Sequence, residues 1–211
     1  MTENLRLGAN KTLTTSDSDV GSTFVMPASA SGVWGTGSAW NDVSQITDAQ
    51  INTKHLYDNG SYTVNDGNGV AQKAGVYYNW YTATAGSGTA STTSGEAPYS
   101  ICPKGWMLPP TANNKSWATL IHGIYGAYTG DSIKQPALLK IPVSLAYTGY
   151  YMWCTGQVDH TYPYGLWWSS TAYSRVEARP LQLDNSSGSN YTVGVGVNVK
   201  AYGFPIRCVS R

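Results

Sequence analysis

Charged side chains are scarce in this chain. Asp, Glu, Lys and Arg make up 12% of the 211 residues, about half of the share that is usual in globular proteins. The formal net charge is +1, so the charge gives no reason to expect binding to nucleic acid or to an anionic membrane. Low charge, few lysines and abundant Ser and Thr favour an exported protein, at the cell surface or outside the cell.

Long apolar runs are also missing. No stretch approaches the roughly 20 apolar residues that a membrane-spanning helix requires, and the first residues do not resemble a signal peptide. We therefore expect no membrane insertion of this segment, and we expect the export signal or anchor to lie elsewhere in a longer protein. The length fits one domain, or one domain with an appendage.

Paired cysteine motifs are absent. The chain has three cysteines and no C-x-x-C pair, which argues against zinc and thioredoxin-type sites. Cys102 and Cys208 flank the second half of the chain, and a disulfide between them would close a loop of about 100 residues, worth ~4–5 kcal/mol in the chain-entropy estimate. We predict this disulfide, and we interpret the remaining Cys154 as a buried free thiol.

Residues for catalysis are few and scattered. The three histidines, His55, His122 and His160, are far apart in the chain. Asp159 and His160 could form a general-base pair, but no nucleophile motif accompanies them. The sequence therefore predicts a protein that is not an enzyme and that uses no cofactor and no metal.

Tyr and Trp, in contrast, are abundant. The chain has 16 Tyr and 8 Trp against 2 Phe. These side chains combine a large apolar body with a polar tip, so they suit half-exposed surfaces as well as cores. A mixture of Tyr, Ser, Gly and Asn is typical of antibody binding loops. The composition alone fits either a general secreted β-rich domain or a binding protein.

The spacing of apolar residues predicts one clear helix and several strands. The helix has apolar residues at i, i+3, i+4, i+7 and i+8, namely Trp117, Leu120, Ile121, Ile124 and Tyr125. Alternation predicts strands over residues 141–153 and 193–199. Residues 75–81 fit either a strand or a short helix, and residues 86–95, rich in Gly, Ser and Thr, are predicted to form a flexible loop.

Residues 164–211 differ from the rest of the chain because two apolar ends enclose a middle of small and polar residues. The first end reads Tyr-Gly-Leu-Trp-Trp-Ser-Ser-Thr at residues 164–171, and the second reads Gly-Phe-Pro-Ile-Arg-Cys-Val at residues 203–209. The ends are expected to be buried. The middle could vary without harm to a core, so we interpret it as a binding surface held by fixed ends.

Five motifs occur in an order that resembles a known family. They are Met-Thr-Glu-Asn-Leu at 1–5, Gly-Val-Tyr-Tyr-Asn-Trp at 75–80, Cys-Pro-Lys-Gly-Trp-Met-Leu-Pro at 102–109, Trp-Ser-Ser-Thr at 168–171 and Gly-Phe-Pro-Ile-Arg-Cys-Val at 203–209. The chain thereby resembles the bacterial domain family named for the major paralogous proteins of Fibrobacter succinogenes, over nearly its whole length. Met1 lies inside the first motif, so the resemblance implies a chain that is N-terminally truncated relative to the family.

The resemblance implies an α+β protein with a C-type-lectin-like fold, in which a mixed, mostly antiparallel sheet and two helices carry long loops. The whole chain, 1–211, is then a single domain. Some proteins of this wider fold are the variable proteins of diversity-generating retroelements, whose C-terminal segment changes its side chains on an unchanged backbone. The resemblance places such a variable segment at about 164–211.

The candidate contact residues lie between the two fixed ends of this segment. They are Tyr173, Arg175, Glu177, Arg179, Gln182, Asp184, Asn185, Tyr191, Lys200 and Tyr202. Tyr and Arg are frequent anchors of interfaces. The alternative is that these are ordinary solvent-facing side chains on edge strands.

The sequence thus predicts a non-enzymatic, monomeric ligand-binding protein that meets a protein or glycan on another cell or surface. The alternative is a carbohydrate-binding or adhesive module of the cell envelope, in which Trp153, Tyr164, Trp167 and Trp168 stack on sugar rings. Against this alternative, the Trp-Trp pair lies in a family motif, and at least one of the two is expected in the core.

Overall fold

The structure is a computed structural model. It describes residues 4–28, 46–58, 63–65, 71–73, 75–111, 147–159, 164–184 and 192–211. The predicted helix around residues 117–125 and the two candidate contact residues Asn185 and Tyr191 lie outside these ranges. His122 and His160 do so as well.

Short strands dominate the described residues, with two helices of a single turn each. In chain order the elements are β1 (Thr12–Leu13), β2 (Phe24–Val25), α1 (Asp48–Ile51), β3 (Leu56–Asp58), β4 (Thr63–Asn65), β5 (Ala71–Lys73), β6 (Val76–Tyr78), α2 (Trp80–Ala83), β7 (Gly95–Glu96), β8 (Trp106–Met107), β9 (Tyr150–Met152), β10 (Gln157–Asp159), β11 (Tyr164–Ala172), β12 (Glu177–Asp184), β13 (Thr192–Val195), β14 (Asn198–Val199) and β15 (Val209–Ser210). All the strand pairs among them are antiparallel. The fold class is therefore α+β with mostly antiparallel sheet.

The largest sheet is built from the C-terminal segment. Its strand order is β13-β12-β11-β7, and β14 also pairs with β12. Trp168 lies opposite Pro180, whereas Ala172 lies opposite Ala178, so β11 contains extra residues between these pairs. Such a bulge bends the strand locally. Both polar groups of Ser169 in this bulge are hydrogen-bonded, because Ser169 Oγ donates to Arg179 O and Trp80 Nε1 donates to Ser169 O.

This sheet is covered on both faces near β11. Leu166 and Trp168 point to one face, and Trp167 points to the other, as side chains on a strand alternate. All three are buried. Leu181 and Leu183 on β12 are also buried, and Leu181 lies opposite Trp167. The long strands are therefore interior, and exposed side chains occur at their ends and connections.

Three of the five sequence motifs meet in one aromatic core. Trp168 Nε1 donates to Tyr78 O at 2.8 Å, and the Trp168 and Phe204 rings are 4.1 Å apart. Tyr78 and Phe204 exchange backbone hydrogen bonds at 3.0 Å. Trp80, Trp168 and Phe204 are all completely buried. Segments that are far apart in the chain thus form a single fixed centre, and the buried ends predicted for residues 164–211 are present.

The predicted disulfide is present. Cys102 and Cys208 are bonded, and Cys154 is a buried free cysteine. The paired strands β8 and β15 lie next to the bridge, with Met107 opposite Val209. The disulfide therefore fixes the end of the chain to the middle.

Local predictions are met in part. Residues 75–81 form both elements that the pattern allowed, a strand at Val76–Tyr78 and a helix at Trp80–Ala83, because Asn79 caps the helix with its side chain. The predicted strand at 193–199 is divided into β13 and β14. Of the predicted strand at 141–153, the described part contains β9. No helix in the described part of the chain has the length and apolar character needed to cross a membrane.

Candidate ligand-binding face

The connection between β11 and β12 is a tight turn of residues 173–176 held by its own groups. The amides of Tyr173 and Ser174 donate to Glu177 O at 3.0 and 3.1 Å. Ser174 Oγ donates to Glu177 Oε2 at 3.0 Å and accepts from the Glu177 amide at 3.1 Å. The main chain of the turn is thus fixed mainly by hydrogen bonds among neighbours, at the end of two buried strands.

Tyr173 is the aromatic residue of this turn, and it is exposed, with 49% of its surface accessible. The guanidinium of Arg179 lies 4.6 Å from the centre of its ring. A cation over an aromatic face at this distance is attractive, by about 0.5–1 kcal/mol at exposed sites. The pair therefore presents an ordered aromatic and cationic surface to solvent.

Arg175 connects the turn to α1. Its Nη1 lies 2.6 Å from Asp48 Oδ1, and its Nη2 donates to Ile46 O at 3.0 Å. Asp48 begins α1, whose first turn is closed by a capping box of Thr47 and Gln50. Both charged side chains are largely exposed, so the ion pair itself contributes at most about 1 kcal/mol. Asp48 is a neighbour of the face that sequence reasoning missed, since nothing links residues 48 and 175 in the pattern.

The structure describes eight of the ten candidate contact residues and divides them into separate groups. Tyr173, Arg175, Glu177 and Arg179 come together at the β11–β12 turn, and we call these four the hairpin face. Alternation along β12 puts Glu177 and Arg179 on one side of the strand.

Gln182 and Asp184 are half-buried, on the other side of β12. They lie opposite Leu166 and Tyr164 of β11. The expectation of one contiguous surface is therefore corrected to a smaller one.

Lys200 does not belong to an exposed surface, contrary to prediction. Its side chain is completely buried, and its Nζ donates to Thr89 O at 3.0 Å, Thr92 O at 2.8 Å and Arg175 O at 3.1 Å. The Nζ atom also lies 4.7 Å from the centre of the Trp80 ring. Burial lowers the pKa of Lys200 to about 8, so the amine still carries its proton at neutral pH.

Tyr202 is also buried, with 6% of its surface accessible. Its ring lies 5.2 Å from that of Tyr150 and 6.3 Å from that of Phe204, and burial raises the pKa of its hydroxyl. It is a core residue, so its predicted role as a contact residue is wrong. The alternating pattern of residues 193–199 does not predict the burial of Tyr202, because Tyr202 lies beyond β14, outside that pattern.

The aromatic residues considered for sugar stacking are mostly interior. Trp153, Trp167 and Trp168 are buried, and Tyr164 is half-buried. Trp167 Nε1 donates to Asn4 Oδ1 at 3.0 Å. A stacking platform must expose the face of its ring, so three of the four candidates cannot serve as one.

Titratable groups within the described ranges form no group of three or more that could hold a metal ion. His55, the histidine that lies in those ranges, is buried and stacks on Tyr57 with ring centres 5.9 Å apart. Burial lowers the pKa of His55 to about 3, so the ring is neutral at physiological pH. Its position next to a stacked tyrosine is that of a core residue.

A cavity of about 130 Å³ lies between β7, β8 and Arg211. Asp19 and Glu96 also line it, and burial raises the pKa of both carboxyl groups. Its volume is below the ~300 Å³ at which small-molecule sites usually begin. None of the eight candidate contact residues that the structure describes lines it, so we do not place the ligand there.

Comparison of the chain with protein-family models, with curated proteins and with solved structures finds no match. The candidate site therefore stands on its geometry.

Proposed function

We propose that this protein is a non-enzymatic ligand-binding protein of the cell surface or exterior, and that the hairpin face is its binding surface. The fold we propose is C-type-lectin-like, and the variable side chains are those of a diversity-generating retroelement protein. An antiparallel sheet with two short helices and three motifs that meet in one core support this assignment. A disulfide is compatible with an oxidising compartment.

One observation carries the proposal: the hairpin face combines a fixed main chain with side chains that the core does not need. The turn amides bond to Glu177 O, a main-chain acceptor that remains after substitution. The side chains of Tyr173, Arg175, Glu177 and Arg179 are exposed or half-buried. A preorganised backbone reduces the entropy that is lost on binding, and exchangeable side chains allow different ligands.

The test is a display library in which these four positions are randomised. A matched control library randomises four exposed positions of the β1–β2 hairpin, Lys11, Thr12, Thr23 and Val25. Both libraries are sorted first for folded protein, by resistance to protease, and then for binding to a purified protein target. We expect most members of the hairpin-face library to remain folded and to yield binders, and the control library to yield few.

Two results would contradict the proposal. If most members of the hairpin-face library unfold, the four side chains are structural. If folded members bind no better than the control library, the face is not a binding surface. A glycan array of the unmodified protein and of a variant changed at all four positions adds a third arm. Sugar binding that is the same in both proteins would assign the ligand to another surface.

A further inference from the structure

The ammonium of Lys200 makes all the hydrogen bonds that it can donate inside the protein. A lysine ammonium has three N–H donors, and all three hydrogen bonds from Nζ end on backbone carbonyls, those of Thr89, Thr92 and Arg175. Together with the Trp80 ring beneath it, these oxygens surround the cation. A charge without such partners would be costly to bury, so this arrangement accounts for a lysine inside the protein at this position.

The three carbonyls belong to two separate segments. Thr89 and Thr92 lie in the loop after α2, and Arg175 lies in the turn of the hairpin face. The main chain of Lys200 adds two further connections, because its amide donates to Val176 O and its carbonyl accepts from the Trp80 amide, both at 2.9 Å. One residue thus joins the turn, the loop and α2.

The loop also runs beside the turn. Its end forms β7, in which Gly95 and Glu96 lie opposite Ala172 and Thr171 of β11. The side chains of Ser91, Thr93 and Ser94 are exposed. Small hydroxyl residues next to Tyr and Arg are a composition typical of binding loops.

We propose that Lys200 is the positioning residue of the hairpin face, and that the loop of residues 89–94 forms one surface with that face through its ammonium. Naming this a binding surface depends on the proposed function. The coupling of the two segments by Lys200 does not, and it can be measured without a ligand.

The first test replaces Lys200 with Met, which keeps the apolar stem of the side chain but lacks the ammonium and its donors. Amide hydrogen exchange is followed in both segments. In the turn, the amides of Tyr173 and Ser174 donate to Glu177 O, and in the loop the amide of Thr92 donates to Thr89 O. We expect protection at all three to fall together by about tenfold or more, the factor for the loss of one charged hydrogen bond. The amide of Phe204, bonded to Tyr78 O in the core, should keep its protection.

Lys54→Met is the matched control. Lys54 also donates to one carbonyl, Val25 O at 3.2 Å, and also lies over an aromatic ring, Phe24 at 4.6 Å. These partners of Lys54 belong to β2 and to neither segment, so the change should leave the exchange of both segments unchanged. If Lys200→Met affects one segment without the other, or neither, the coupling is refuted.

Chemical rescue separates the ammonium from mere packing. Lys200→Ala removes the part of the side chain that n-propylammonium can replace. We expect n-propylammonium to restore protection of the turn and the loop, and the uncharged n-propanol to fail. Equal rescue by both molecules would show that Lys200 only fills space. If Lys200→Ala does not fold, the exchange comparison with Lys200→Met still decides.

The loop's membership of the surface is tested on a binder selected from the hairpin-face library. Thr93→Arg should weaken binding by about tenfold or more, as expected for a bulky charge within an interface, whereas Thr23→Arg, at an exposed position of the other hairpin, should not. Normal binding by Thr93→Arg would remove the loop from the surface while leaving the coupling intact. Failure to select any binder would refute the proposed function but not the exchange result.

Discussion

Ser169 and Ser170 are adjacent on β11, and both are buried, but their hydroxyl groups differ in bonding. Ser169 Oγ donates to Arg179 O and accepts from the Thr171 amide at 3.1 Å. Ser170 Oγ has no hydrogen-bond partner among the described residues. A buried hydroxyl without a partner costs about 1–3 kcal/mol, so neighbouring serines in one strand should respond oppositely to the same change.

We predict that Ser169→Ala lowers the free energy of unfolding by about 1–3 kcal/mol, because two hydrogen bonds of the bulge are lost. Ser170→Ala should leave it unchanged or raise it by up to about 1 kcal/mol, because only an unsatisfied hydroxyl is removed. Urea denaturation of the two variants measures the difference. Equal destabilisation by both changes would mean that Ser170 has a partner of equal value.

The burial of His55 predicts that the folded protein loses stability in acid. Burial lowers its folded-state pKa to about 3, against 6.5 when it is exposed. Between these values the unfolded chain binds a proton that the folded chain does not, so the free energy of unfolding falls as the pH falls. Below about pH 3 both states are protonated and this contribution no longer changes.

We predict that this group alone removes about 2–3 kcal/mol of stability between pH 7 and pH 4.5. His55→Phe keeps a ring beside Tyr57 but cannot titrate. Its free energy of unfolding should therefore fall less steeply over the same pH range, as measured by denaturation at several pH values. If the two proteins show the same slope, the acid sensitivity comes from other groups.

At the scale of elements, the main chain at Gly203 passes so close to two tyrosines that no side chain fits there. A Cβ on Gly203 would lie 2.7 Å from Tyr57 Cδ2 and 2.9 Å from Tyr151 Cβ. Gly203 and Tyr151 also exchange backbone hydrogen bonds at 2.8 and 2.9 Å. Neither segment can move away without breaking these bonds, so the contact between β9 and the last part of the chain requires a glycine.

We predict that Gly203→Ala lowers the free energy of unfolding by about 1–3 kcal/mol, the usual range for an overpacked core. Gly194→Ala is the control, because a Cβ at Gly194 on β13 would have no heavy atom within 4 Å. That variant should differ from the unchanged protein by no more than about 0.5 kcal/mol. A harmless Gly203→Ala would show that the β9 segment can shift.

Elements were predictable where a single side chain decides the local structure. Residues 75–81 had an apolar pattern that fits a strand or a helix, and the chain uses both because Asn79 separates them. Its Oδ1 accepts from the Thr82 amide, which caps α2, and from the His55 amide. The first bond follows from the preference of Asn for the start of helices, but the second joins residues 24 positions apart and is not visible in a local pattern.

At the scale of the whole molecule, the sequence predicts which segments are buried better than it predicts which polar side chains are exposed. The apolar ends of the C-terminal segment and the bond between Cys102 and Cys208 were predicted and are present. The prediction that Lys200 is exposed is wrong, because lysine is rarely buried and its partners at Thr89 and Thr92 are more than 100 positions away. Exposure of a polar side chain depends on such distant partners, so the binding face could be located only approximately.

The disulfide connects distant parts of the chain, and this sets its expected effect. Cys102 and Cys208 are separated by 106 positions, and a loop of that length restricts the unfolded chain strongly. Its neighbours are also fixed in the folded state, since the Asp19 amide donates to Cys102 O at 2.8 Å. The bridge therefore joins the middle of the chain to its C-terminal end at a position that the folded structure already holds.

We predict that the double change Cys102→Ala with Cys208→Ala lowers the free energy of unfolding by about 2–5 kcal/mol. Cys154→Ala, which removes the buried free thiol, is the matched control and should respond to reducing agent as the unchanged protein does. Reduction of the unchanged protein should reproduce most of the loss, whereas reduction of the double variant should change nothing. A loss below about 1 kcal/mol would mean that the aromatic core of Trp168 and Phe204 holds the C-terminal segment without the bridge, because the native contacts then already restrict the chain ends.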